Sequence, residues 1–103
     1  MKFEVRLIDL AQADLEEIAD YLSEFSEKAT FDFIDELDHK LDLISEFPGF
    51  CPVYDFDTRF RKIVIGKYLI FYIVDENNRM INVIRIIHSS RDIKTELTSQ
   101  VSK

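Results

Sequence analysis

The groups able to do chemistry in this chain are a few cations and aromatics in its second half. Arg59 and Arg61 lie two apart, so on an extended backbone they point the same way, with Lys62 turned to the other side. Tyr68 and Tyr72 are four apart, also on one strand face. His88 and Arg91 close the last apolar run in His88-Ser89-Ser90-Arg91-Asp92. A guanidinium recognises a carboxylate or phosphate in bidentate fashion, and a histidine near neutrality moves protons. Each also has a structural reading. Arg59 and Arg61 serve as edge-strand charges, His88 as a hydrogen-bonded strand end, and Arg91-Asp92 as an ion pair or a turn capping the sheet end. The tyrosines read as core or core rim. Cys51, the single cysteine, excludes an intrachain disulfide and reads as an incidental loop thiol. With His39 and His88 as the only histidines, no zinc site can be assembled at usual spacing. Two glycines, Gly49 and Gly66, are too few for a phosphate-binding loop. No cofactor is expected.

At 103 residues the chain holds one core. No apolar run reaches the roughly 18 residues of a membrane span, and the charged start Met1-Lys2-Phe3-Glu4-Val5 does not read as a signal peptide. The expected location is the cytoplasm. Net charge is −7, unevenly placed. Asp9 to Phe47 holds 13 acids against Lys28 and Lys40, a net of −11; Thr58 to Lys94 holds 8 bases against 3 acids, a net of +5. An acidic half and a mildly basic half follow. The basic half is either a set of strand-edge charges or a surface for an acidic partner.

Those groups must be positioned by regular elements. Lys2 to Leu7 alternates and reads as a half-buried strand. Asp9 and Gln12 have capping-box spacing, placing a helix start near Leu10. Leu15, Ile18, Leu22 and Phe25 form its apolar stripe. Ser23 to Glu27 is a turn. A second helix carries Phe33, Leu37, Leu41, Ile44 and Phe47 on one face and stops at Pro48-Gly49. Phe50 to Asp57 is a loop. Phe60 to Ile65, Tyr68 to Val74 and Met80 to Ile87 read as three strands of an antiparallel meander, joined by Gly66-Lys67 and by Asp75 to Arg79, where an asparagine is expected to take the left-handed conformation. Tyr68 to Val74 is apolar throughout, so both its faces need cover. The expectation is an α+β domain over residues 1–92, with a helical hairpin packed on a mostly antiparallel sheet. Residues 93–103 form a polar tail, weakly helical through Ile93, Leu97 and Val101 or disordered, and a poor lid for the second face.

Four segments in this order carry a resemblance. Ala13-Asp14-Leu15-Glu16-Glu17-Ile18-Ala19-Asp20-Tyr21 resembles the first helix of the RelE/ParE superfamily of type II toxin–antitoxin toxins. Leu43-Ile44-Ser45-Glu46-Phe47-Pro48 resembles the end of its second helix, Arg61 to Val74 its central hairpin, and Val83 to Asp92 its last strand and ending. The resemblance implies that fold over about Phe3 to Asp92. It also implies a toxin neutralised by a cognate antitoxin, through which alone DNA is engaged; the second face of Tyr68 to Val74 is expected to be covered by a disordered C-terminal antitoxin segment that folds on binding.

The superfamily's members divide between ribosome-dependent mRNA cleavage and inhibition of DNA gyrase. RNA cleavage needs cations around one phosphate and a proton-transfer group. Where RelE-like nucleases commonly carry an arginine after the hairpin tyrosine, this chain has Leu69. Tyr68-Leu69-Ile70-Phe71-Tyr72 is closer to the ParE-like pattern, and a net charge of −7 suits a protein target better than a polyanion. The resemblance therefore implies a gyrase poison and no hydrolytic site. The alternative is a nuclease built on Arg61, His88 and Arg91; a further one is a degenerate toxin that only binds antitoxin. Target-facing residues are expected at Arg59, Arg61 and Arg91. Antitoxin-facing residues are expected at Arg59, Arg61, Tyr68, Tyr72 and Arg85.

Overall fold

The computed structural model describes the backbone of residues 2–101 and the side chains of residues 2–97. Seven elements follow one another: β1 (Glu4–Leu7), α1 (Asp9–Ser23), α2 (Glu27–Glu46), β2 (Arg61–Ile65), β3 (Tyr68–Asp75), β4 (Met80–His88) and α3 (Ile93–Val101). The sheet order is β1-β4-β3-β2. The meander β2–β3–β4 is antiparallel, as expected, and β1 joins β4 in parallel, Glu4 opposite Met80 and Leu7 opposite Val83.

The helix boundaries differ in instructive ways. Asp9 is not a cap: α1 begins one residue earlier than the spacing suggests, on Ile8, with no side-chain bond at that end. The cap with a side chain is Ser26, whose hydroxyl accepts from the Ala29 N–H at 3.2 Å. Phe25 and Phe47, assigned to the apolar stripes, lie beyond the last helical residues Ser23 and Glu46 and are 69% and 57% exposed. In the β3–β4 turn the left-handed residue is Arg79, at φ 52°, because Asp75 fixes Asn78 through both its backbone and side-chain amides. Gly66, at φ 56°, supplies the tight β2–β3 hairpin, where a left-handed first residue suits glycine.

The α1–α2 hairpin covers one sheet face. Ile18, Phe33, Leu37 and Ile44 pack there on Ile63, Ile70, Tyr72, Ile81, Val83 and Ile86. The second face has its own core of Tyr54, Phe60, Phe71, Ile84, Ile87 and Leu97. The expectation that the segment after Asp92 is a poor lid is corrected here: Ile93–Val101 is helical, and Leu97 is 2% exposed. Asp92 starts that helix by accepting from the Thr95 N–H and hydroxyl, at 3.4 and 2.8 Å, so it caps α3 rather than the sheet end. The side chain of Val101, assigned to the same stripe, lies outside the described residues.

One irregularity in β4 reconciles the two cores. Tyr72 pairs with Val83 but Phe71 pairs with Arg85, leaving Ile84 as the extra residue of a β-bulge. Before the bulge Ile81 and Val83 face the helices; after it Ile86 does. Regular alternation would send Arg85 under the hairpin. Instead it lies between α1 and α3, 8% exposed. Its Nε and Nη2 donate to Asp14 at 2.7 and 3.0 Å, and its Nη1 donates to Glu96 at 3.2 Å. The β1–β4 ladder ends at Leu7 opposite Val83, so the next outward N–H of β4, that of Ile86, lacks a strand partner; Asp14 Oδ2 accepts it at 2.9 Å. Asp14→Ala should therefore strand a buried guanidinium and a buried amide together. We expect a loss of about 3–5 kcal/mol in chemical denaturation, several times the effect of Asp32→Ala, whose carboxylate makes an exposed pair with Lys28.

Candidate functional site

The α1 residues Asp14, Glu17, Ile18 and Tyr21 recur at helical spacing and form one wall of a cleft of about 470 Å³. Tyr68 of β3 and Arg85 to His88 of β4 line its floor, and Ser90 and Arg91 its rim. His88 and Tyr68 face each other across the β3–β4 ladder, ring centres 5.1 Å apart and edge to face. The Ser90 N–H donates to His88 Nδ1 at 3.0 Å, and the Ser90 hydroxyl lies 2.8 Å from the same nitrogen, so Ser90 fixes the orientation of the ring. Burial, with the nearby Tyr21 phenol, raises the Tyr68 hydroxyl above its ordinary range. Tyr21 is held by Phe25, ring centres 5.0 Å apart.

Charges in and around this cleft are matched almost completely. Arg85 is held by Asp14 and Glu96, and these contacts raise its already high pKa. Arg91 Nη1 donates to the other oxygen of Glu96 at 3.1 Å. Two guanidiniums thus meet two carboxylates. Glu17, the remaining carboxylate on the wall, makes no ion pair among the described residues.

Of the residues singled out by sequence, His88, Arg91 and Tyr68 come together here, and Arg61 does not join them. Arg61 pairs with Tyr72, four residues along β3 from Tyr68, or about 13 Å. Its Nη1 donates to the Cys51 carbonyl at 2.7 Å and reaches the Gly49 carbonyl at 3.5 Å, pinning the loop after α2. Tyr72 is fully buried beneath that loop and donates to the Pro48 carbonyl at 2.9 Å. Burial first, then the neighbouring Cys51, pushes its phenol well above the ordinary range. Tyr72 and Arg85, expected to face an antitoxin, are thus corrected to internal roles, since their polar ends are consumed by the fold. Cys51 is buried in the helix-covered core. Arg59 is exposed and makes a fork-like pair with Asp57, in a turn rather than on β2. Leu69 packs with the second core, so its side chain is absent from the cleft. Sequence reasoning missed Glu17 and Tyr21 as site residues; their spacing from Asp14 was readable, but Asp14 itself reads as one more solvated acid.

Among the described residues no group of three or more His, Cys, Asp or Glu is placed to hold a metal, and no helix is long and apolar enough to cross a membrane.

A family model described as the ParE toxin of the type II toxin–antitoxin system parDE matches residues 5–93. No curated protein matches the chain significantly. Among solved structures, a chromosomal ParDE system from P. aeruginosa superposes with a TM-score of 0.68 at 13% identity, over 84% of this chain and 96% of that one. The isolated E. coli RelE toxin gives 0.64 at 15% identity, over 94% and 96%. The RelBE2 toxin–antitoxin complex from Mycobacterium tuberculosis gives 0.58 at 14% identity, over 85% and 99%. At these identities the structures establish a shared fold.

The α3 cap that holds Glu96 beside the cleft should respond to acid. Hydrogen bonds from Thr95 lower the Asp92 pKa below its ordinary value, so its contribution is complete above the unfolded carboxylate range and is lost as pH falls through the lowered folded value. The Thr95 amide resonance is expected to move in that acidic window, and Asp92→Ala should abolish the step while raising amide exchange along α3.

Proposed function

Because the chain belongs to the ParE toxin family of type II toxin–antitoxin systems, we propose that it arrests growth in the cytoplasm by contacting a protein target, DNA gyrase or a related topoisomerase, without hydrolysing nucleic acid. The observation that carries this reading is the state of the cations at the cleft. Arg85 and Arg91 are both engaged by carboxylates, Glu17 adds a further negative charge on the wall, and Arg61 is tied to a loop elsewhere. Stabilising a phosphorane requires cations aimed at one phosphate, and among the described residues no such cluster supports that step. In this reading Arg59, Arg61 and Arg91, each exposed or partly exposed, contribute to the target surface. A cognate antitoxin neutralises the toxin by folding a C-terminal segment onto it, with Arg59, Arg61 and Tyr68 as its contacts, and links the pair to DNA.

A specific observation favours the runner-up. His88, Arg91 and Tyr68 do share one cleft, which places a proton-transfer residue beside a cation as RNA cleavage requires. The alternative is therefore a ribosome-dependent endoribonuclease using His88 and Arg91, with Arg61 acting from outside the cleft.

Inducing the lone gene should arrest growth, and co-expressing the adjacent antitoxin gene should restore it. Purified protein should inhibit supercoiling by gyrase or trap its cleaved complex. Codon-phased cuts in primer extension on translated mRNA would instead establish the nuclease. Antitoxin binding without growth arrest would identify a degenerate toxin.

A further inference from the structure

The cleft between α1 and the end of β4 has an unbalanced chemistry. With Arg85 and Arg91 matched by Asp14 and Glu96, the charge left over among the described residues is the carboxylate of Glu17. One helical turn further along the same face stands Tyr21, 54% exposed, and across from it Tyr68. Aromatic ring faces carry negative potential and attract cations. A carboxylate flanked by two phenol rings in a concave, partly enclosed space complements a cation with an apolar stem. It opposes a phosphate. Phe25, set edge to face against Tyr21 and 69% exposed, adds an apolar surface beside the cleft and restrains the Tyr21 ring.

We infer that this cleft is a receptor for a basic side chain, arginine or lysine, presented by a protein partner, with Glu17 as counter-ion and Tyr21 and Tyr68 as ring walls. Arginine fits best, since its flat guanidinium both stacks on a ring and forks onto a carboxylate. The stem beside that side chain lies against Ile18, and an apolar neighbour in the partner covers Phe25. This places a basic, apolar-flanked segment on the acidic helical hairpin, where net charge favours its approach. It rests on the preceding functional reading only in taking the partner to be a protein.

The test needs no partner. L-argininamide titrated into the full-length protein, followed by NMR, should shift the resonances of Glu17, Tyr21, Tyr68 and His88 while leaving those around Arg59 still. L-citrullinamide, which has the same shape without the charge, should not. Glu17→Gln should weaken argininamide about fivefold, and Tyr21→Ala similarly, with Tyr21→Phe close to the parent. Both side chains are exposed, so the variants should remain folded, which their amide spectra verify. Equal binding of citrullinamide, no cleft response to argininamide, or cleft shifts with inorganic phosphate in its place would each overturn the inference. The growth-arrest assay reads the toxin assignment separately, so a protein that arrests growth but ignores argininamide fails here alone.

Discussion

A buried guanidinium holds three elements of this fold in register. Arg85 lies where β1 has stopped pairing with β4, α1 crosses the sheet edge and α3 docks on the opposite face. Its charge cannot stay in that setting without partners, because desolvating an ion costs several kcal/mol. Asp14 supplies one partner from α1 and Glu96 the other from α3, and Asp14 also satisfies the exposed edge of β4 at Ile86. Such a network adds less net stability than its bonds suggest, but it penalises every arrangement in which α1, β4 and α3 are displaced from one another.

The same ion cluster decides the chemical character of the cleft beside it. A guanidinium engaged twice by carboxylates is a structural cation, and Arg91 is drawn into the set through Glu96. The cleft keeps the outline of a catalytic pocket, lined by a histidine, two tyrosines and two arginines. What it lacks, among the described residues, is uncommitted positive charge. Function within a shared fold is decided at this level, by which side chains are spent on the scaffold and which remain available.

Periodicity alone made the architecture legible. The two amphipathic stripes and the three apolar runs appear as α1, α2 and the β2–β4 meander, and Ser26, Pro48 and Gly66 punctuate the chain by ordinary local rules. Three things were not legible. The place of β1 depends on a non-local parallel pairing that no local pattern encodes. The bulge at Ile84 is invisible in an unbroken apolar run, so the direction of Arg85 is invisible too. The burial of Leu97 depends on an aromatic shelf of Tyr54, Phe60 and Phe71 gathered from the loop before β2 and from β3. For the site, His88 and Arg91 were found as the polar ending of a strand. Glu17 and Tyr21 were hidden in a helix whose acids all look alike from sequence.

Pairing the first strand with the last has a kinetic consequence. The β2–β4 hairpins close over short stretches of chain and can form early, whereas Glu4 meets Met80 only when nearly the whole sequence has been made. Long-range pairings of this kind slow folding, since loop closure must precede the contacts that reward it. During synthesis the acidic hairpin and its apolar stripe therefore emerge before the sheet that will cover them, and the cleft between α1 and β4 is among the last features to exist. A chain cut short before Ile86 would lack both the strand end that forms the cleft floor and the amide that Asp14 accepts.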